Sequence, residues 1–289
     1  MEVLVLGGTR FFGIELVKSL LQKDYSVTIA TRGKSPDDFG DCVSRIIVDR
    51  NNADSMARAF KNKQYDVVYD NLAYCSDAVK IALDTIHCQK YILVSSTAVY
   101  NLHEKTIETD FDPYHYLIKW GQREDFDYDE GKRQAEAVLT QIYPQQDFVI
   151  VRFPVVLGHN DYTERLDFYV KHIYDSKPML INNINEQLSF VLASDAGKFL
   201  AFLADKGHRE IYNGSSEGTI SLAEIIQYVE QKTNKGYVPA NNGDIAPYNS
   251  IQSHSICVLK AETFGFYFQP LKQWIFSLID ESILKLENV

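Results

Sequence analysis

Tyr128 and Lys132 stand four residues apart in Tyr128-Asp129-Glu130-Gly131-Lys132, a spacing that puts both side chains on one face of a helix. A phenol titrates near pH 10 in water and is a poor base at neutrality. An ammonium beside it favours the phenolate and brings it toward the working range. Upstream, the apolar run closing at Val94-Ser95-Ser96-Thr97 sets Ser96 and Thr97 at a strand end, where a hydroxyl can hold a substrate oxygen. Ser96, Tyr128 and Lys132 are therefore the candidate catalytic residues. They would move a proton on and off a substrate hydroxyl while its carbon exchanges hydride with a nicotinamide, whose ribose Lys132 would also hold. Thr97 is a candidate substrate contact.

A hydride carrier needs its own site, and the first residues offer one. Val3-Leu4-Val5-Leu6 is a strand-like run that breaks at Gly7-Gly8-Thr9-Arg10-Phe11-Phe12-Gly13 before an amphipathic stretch. In that context the three glycines allow a tight turn, a close approach to a pyrophosphate and tight packing of helix on sheet. The helix N-terminus presents free N–H groups to phosphate. About 20 residues further on, a carboxylate would hold the 2′-hydroxyl of NAD. The run Ile29-Ala30-Thr31-Arg32-Gly33-Lys34 has none. Arg32 suits a 2′-phosphate, with Arg10 and Lys34 assisting; the alternative for these cations is solvated surface charge. NADP is favoured, and NAD stays open. Asp49-Arg50 and Asp70-Asn71-Leu72-Ala73 mark the next two strand ends, on the face where open α/β sheets bind ligands. Asp49 is placed to meet an adenine amino group, whereas Asp70 reads equally as a turn or capping residue.

The elements that must position these groups follow from apolar periodicity. Val/Ile-rich runs without polar alternation predict buried parallel strands at Glu2–Leu6, Ser26–Ala30, Arg45–Val48, Asp66–Tyr69, Lys90–Val94 and Phe148–Arg152. Helices are expected at Phe11–Gln22, Ala53–Phe60, Ser76–His87 and Tyr128–Ile142. The alternation predicts an α/β fold, a Rossmann-type doubly wound parallel sheet. Residues 101–126 form a long polar, aromatic-rich excursion of the kind that usually serves function. Beyond Arg152 the pattern is mixed, with helices expected at Thr163–Asp175, Asp195–Ala204, Leu222–Lys232 and Leu271–Leu286 and strands near Ser189–Leu192 and Glu210–Asn213. The expected organisation is a dinucleotide-binding domain over 1–152 and a smaller C-terminal α/β substrate domain over 153–289, some of whose segments return to the Rossmann core.

Bulk properties narrow the class. The 289 residues are 45% hydrophobic and 24% charged, with a formal net charge of −10, ordinary for a globular protein. Such acidity disfavours a nucleic-acid partner. The four cysteines (Cys42, Cys75, Cys88, Cys257) form no Cys-x-x-Cys pair and read as reduced structural thiols; no metal is expected. No apolar run approaches the roughly 18–20 residues of a membrane span, and the N-terminus lacks a signal-peptide pattern, so the expected location is the cytoplasm.

Taken together, these motifs resemble the extended short-chain dehydrogenase/reductase superfamily, in its NAD(P)-dependent epimerase/dehydratase branch. Arg152-Phe153-Pro154-Val155-Val156-Leu157-Gly158, Phe190-Val191-Leu192-Ala193-Ser194-Asp195, Tyr212-Asn213-Gly214 with Ser221-Leu222-Ala223-Glu224, and Lys260-Ala261-Glu262-Thr263-Phe264-Gly265-Phe266 are similar to that branch's later segments. The resemblance implies that Ser96, Tyr128 and Lys132 are the catalytic trio, that Phe153 and Pro154 border the cofactor, and that two chains dimerise through helices 76–87 and 128–142. Departures exist. Arg10 replaces the middle glycine, which resembles the atypical subgroup that includes chloroplast stem-loop RNA-binding proteins; Asn101 and Asp129 replace further glycines.

The chain is thus expected to be an NAD(P)-dependent oxidoreductase or epimerase acting on a hydroxyl or keto group of a small substrate, a nucleotide sugar among the candidates. Asn160 and Arg165 would contact that substrate, Arg165 as a phosphate clamp, with Arg152, His159 and the aromatic stretch 114–120 nearby. The alternative is a nicotinamide-sensing regulatory or RNA-binding member without turnover. Epimerisation, reduction and dehydration are not separable at this level, because one fold hosts many chemistries.

Overall fold

Strands without polar alternation need cover on both faces, and the computed structural model, which describes residues 1–159 and 161–287, provides it. β1 (Glu2–Leu6), β2 (Ser26–Thr31), β3 (Val43–Ile47), β4 (Gln64–Asp70), β5 (His87–Ser96) and β6 (Asp147–Phe153) join the strand Glu210–Asn213 in one seven-stranded sheet. Every pairing in it is parallel. The order Glu210–Asn213, β6, β5, β4, β1, β2, β3 reverses direction between β1 and β4, which opens a crevice at their carboxyl ends.

Alternate residues serve opposite faces of each strand. Val3, Val5, Ile29, Val67 and Val149 pack with α1 (Phe12–Leu21) and α6 (Ala193–Phe202). Leu4, Leu6, Val68, Tyr91 and Ile150 pack with α2 (Ala53–Phe60), α3 (Ser76–Thr85) and α4 (Tyr128–Ile142). A third core, with Leu157, Tyr169, Ile225, Trp274 and Ile279, joins α5 (Arg165–Tyr174), α7 (Leu222–Thr233) and α9 (Leu271–Glu287). A Ser221/Glu224 capping box starts α7 and a left-handed Asn234 ends it, satisfying the helix-end groups that packing leaves free.

Several boundaries differ from expectation for local reasons. Phe11 lies outside α1, at φ 50 and ψ −129, where the glycine loop turns into the helix. α3 stops at Thr85 and β5 already begins at His87; the β-branched pair Thr85-Ile86 suits extended backbone better than a last helical turn. Residues 101–126 hold no helix or strand beyond the short turns Glu108–Asp110 and Arg123–Asp125 and a single parallel bridge from Thr106 to Ile256. The excursion is pinned to α4 by side chains: Gln134 bonds Lys119 N and Leu117 O, and Thr140 and Gln141 donate to Pro113 O.

The second half adds strands of two or three residues, of which Phe190–Leu192 is expected from sequence and the others are too short for periodicity to reveal. β7 (Val155–Leu157) pairs with Phe190–Leu192, and β8 (Pro178–Leu180) lies between Val238–Pro239 and Asp244–Ile245. Among the described residues the cysteines are free, no cluster of His, Cys, Asp and Glu could hold a metal ion, and no helix is long and apolar enough to cross a membrane.

Candidate functional site

The crevice between β1 and β4 opens into a cleft of about 420 Å³ whose wall includes Gly7, Thr9, Arg10, Phe12, Arg32 and Asp49. Gly7 and Gly8 have φ of 106° and 96°, conformations that L side chains avoid. A Cβ on Gly8 would sit 3.1 Å from Val17 and 3.2 Å from Ile29, and one on Gly13 would sit 3.1 Å from the Gly8 Cα. The loop therefore brings backbone N–H groups and the start of α1 to the cleft with nothing in the way. Arg10 spans its mouth: Nε donates to Ser35 Oγ at 2.8 Å, and the guanidinium lies 5.2 Å from the Tyr162 ring centre. Arg32 and Lys34 are exposed on the same rim.

Deeper in the cleft, Arg50 pairs with Asp70, which also accepts from Tyr91 Oη and from Leu72 N. Asp70 thus anchors Arg50 as well as closing its own turn. Arg50 Nε and Nη1 and both amide atoms of Asn71 are buried without a partner. Buried polar atoms are rarely left so, and these fit the polar edges of a dinucleotide.

A second cleft of about 330 Å³ adjoins the first through Phe11, Phe12 and Tyr162, and its wall includes Ser96, Thr97, Tyr128 and Arg165. Ser96, the last residue of β5, accepts from Ala98 N. Tyr128 opens α4 with 45% of its surface exposed. Burial around its phenol raises the pKa, while the hydrogen bond with Ser96 and the fields of Arg165 and Arg123 lower it.

Lys132 departs from the arrangement expected from its spacing. It shares the helix face of Tyr128 but is 2% exposed, lines neither cleft, and donates to Ala73 O and Val94 O, each at 2.8 Å. Its Nζ lies 4.2 Å from the Tyr74 ring centre, and burial brings its pKa down to about 7. The cations that favour the Tyr128 phenolate are therefore Arg165 and Arg123. A flexible four-carbon stem went to the nearest free carbonyls rather than to its helical neighbour.

Other expected residues also move. Leu72 lines the first cleft, whereas Ala73 is fully buried in the core and its carbonyl accepts from Lys132. Phe153 is core, 6.2 Å from Phe12, and Pro154 borders the second cleft rather than the first. Arg152 is fully buried, paired with Glu136 at 2.6 Å and bonded to Tyr100 Oη, Glu108 O and Phe111 O. It is a structural tie and not a substrate contact. His159 pairs with Glu281 at 2.6 Å in a separate cleft. The stretch 114–120 lines none of these clefts, and Asn160 lies outside the described residues.

Sequence reasoning did not single out Tyr74, Arg123 and Tyr162, which line the first cleft, or Leu188, Tyr248, Ile251 and His254, which line the second. Only Arg123 carried a signal, its place in the long excursion.

Comparison with known proteins adds to this geometry. Residues 3–213 match the model of the NAD dependent epimerase/dehydratase family. The chain is 27% identical over 238 residues to the chloroplast stem-loop binding protein of 41 kDa b of Arabidopsis thaliana, covering 76% of this chain and 60% of that protein; it thus spans less than two thirds of that relative's length. Among solved structures, UDP-glucose 4-epimerase of Thermotoga maritima with UDP-glucose superposes with TM-score 0.78 at 15% identity, over 99% of this chain and 100% of that one. dTDP-glucose 4,6-dehydratase of Bacillus anthracis in complex with NAD gives 0.74 at 16% identity, over 100% and 98%. Those structural likenesses concern the fold. The family match spans most of the chain, glycine loop to sheet edge, and the protein belongs to the NAD dependent epimerase/dehydratase family.

Proposed function

We propose that the chain binds NADP(H) in preference to NAD(H) and exchanges hydride with a hydroxyl- or keto-bearing carbon of a small substrate held in the second cleft. The observation that carries this reading is the Ser96–Tyr128 pair in that cleft, next to the Phe11-Phe12 wall shared with the glycine-loop cleft. A bound nicotinamide supplies a two-electron hydride acceptor or donor. Ser96 holds the substrate oxygen. When the substrate C–H bond breaks, Tyr128 takes the hydroxyl proton; in the reverse direction it returns that proton as the C–H bond forms. Lys132 lines neither cleft and ties the turn after β4 to β5 through Ala73 O and Val94 O.

The preference for a 2′-phosphate rests on the end of β2, where Arg32 and Lys34 rim the cleft and the run from Ile29 to Lys34 holds no carboxylate. A guanidinium pairs with phosphate in two-pronged geometry. The plant relative's name speaks of stem-loop binding; a net charge of −10 opposes that role here.

The test is fluorescence titration of the full chain with NADPH and NADH, repeated with Arg32→Ala and Tyr128→Phe. NADPH is expected to bind at least tenfold more tightly than NADH, and Arg32→Ala to erase the difference. Tyr128→Phe is expected to bind both cofactors like the parent while losing turnover. Absence of binding by either nucleotide would refute the enzymatic reading.

A further inference from the structure

The second cleft has an uneven chemistry. Its walls include Phe11, Phe12, Leu188, Phe190, Tyr248 and Ile251, gathered from the glycine loop, the strands after β8 and the segment before α8 (Leu259–Thr263). Among the described lining residues a single side chain carries a fixed charge, Arg165. His254, the other basic residue there, is 6% exposed; Gln252 O holds its Nδ1, and burial lowers its pKa, so it stays neutral at pH 7.

Arg165 is the first residue of α5. Its Nε donates to Thr163 Oγ1 at 2.9 Å, its guanidinium lies 5.9 Å from the Tyr248 ring centre, and its field reaches the phenol of Tyr128. It forms no ion pair among the described residues. Asp161, close in sequence, accepts from Thr163 N and Oγ1 and lines the neighbouring cleft instead. One guanidinium is thus available to an anion beside the candidate proton-transfer groups.

These facts restrict what can be bound. Burying a charge without a partner is far costlier than leaving it in water. One guanidinium compensates one carboxylate well, in the bidentate geometry it favours. A diphosphate brings at least two charges, and among the described residues no second cation lines this cleft. A volume of about 330 Å³ is also at the small end of the roughly 300–1,000 Å³ typical of small-molecule sites.

We propose that this cleft takes a compact, apolar, aromatic or branched substrate carrying one carboxylate, which Arg165 holds while the keto or hydroxyl carbon faces Ser96 and Tyr128, and that nucleoside diphosphate sugars are excluded. The proposal rests on the nicotinamide-dependent reading above and names its substrate class.

The experiment is calorimetric titration of the full chain saturated with NADP+, using three probes: 4-oxo-4-phenylbutanoate, its methyl ester, and UDP-glucose. The acid is expected to bind at least tenfold more tightly than the ester and than UDP-glucose. Arg165→Ala should remove the advantage of acid over ester, and Arg165→Lys should restore part of it. Cofactor affinity, measured on each variant, reports that the fold is intact. UDP-glucose binding more tightly than the acid, no detectable binding of the acid, or an acid-to-ester ratio unchanged in Arg165→Ala would each overturn the proposal. A chain that binds no nicotinamide nucleotide would fail the cofactor titration first, so the two failures are told apart.

Discussion

Replacing Arg152 by methionine removes a guanidinium with no exposed surface and leaves Glu136, also fully buried, without its cation. Breaking a buried pair from one side costs about 3–5 kcal/mol, because the remaining charge is uncompensated. The same change strips Tyr100 Oη, Glu108 O and Phe111 O of their donor, which argues for the upper end. Against a total stability of about 5–15 kcal/mol, that is a large fraction. At about 2 °C per kcal/mol for a chain of this size, the melting temperature should fall by roughly 6–10 °C. Adding Glu136→Leu should recover part of the loss, since the orphaned carboxylate goes with it, but not all, because Ser95 and the two carbonyls keep unmet needs. The assay is urea and thermal unfolding of both single variants and the double, read as a double-mutant cycle. An Arg152→Met protein with the parent's unfolding midpoint and a raised substrate KM would refute the structural role and reinstate the substrate contact suggested by sequence.

Two further outcomes are expected. A Cβ on Gly131 would lie 2.2 Å from the backbone oxygen of Tyr74, which cannot swing aside, so Gly131→Ala should push α4 away from the end of β4 at about 1–3 kcal/mol. Turnover should fall with it, as Tyr128 rides on the same helix, while Gly236→Ala, whose nearest neighbour is 3.9 Å away, should unfold like the parent; equal midpoints for the two variants would contradict the close approach. Lys132 titrates at about 7 when folded against 10.5 when exposed. Between those values the unfolded chain holds a proton the folded chain has released, so this group makes stability rise with pH from about 7 to about 10.5, and below pH 7 its full cost stands. Relative to the parent, Lys132→Met should therefore fare best at pH 7 and below and progressively worse toward pH 10, whatever the loss of its two hydrogen bonds costs at every pH; urea midpoints that stay parallel across this range would contradict the buried titration.

Local pattern carried a good deal. The absence of polar alternation in the runs ending at Leu6, Ala30, Tyr69 and Val94 already demanded a sheet covered on both sides, and the glycine loop between Leu6 and α1 demanded a cleft at its end. The helix expected from Leu222 does begin there, and the Ser221/Glu224 capping box that the structure shows at its start makes every bond within four residues. Helix spacing also put Tyr128 and Lys132 on one face, as found.

What spacing could not decide was where the long side chains ended. Lys132 turned to the carbonyls of Ala73 and Val94, from segments 59 and 38 residues away in sequence, and Arg152 to Glu136 and the excursion after β5. The same holds for the walls of the second cleft, where Phe190, Tyr248, Ile251 and His254 meet Phe11 only because tiny strands and turns fold back over the sheet. Sequence by itself determined the covered parallel sheet, the glycine loop and the candidate Ser–Tyr pair, since periodicity and capping act over a few residues. The single cation in an apolar cleft, and the partners of every buried charge, were decided only by tertiary structure, because desolvation makes a buried charge take whichever group the fold brings within reach.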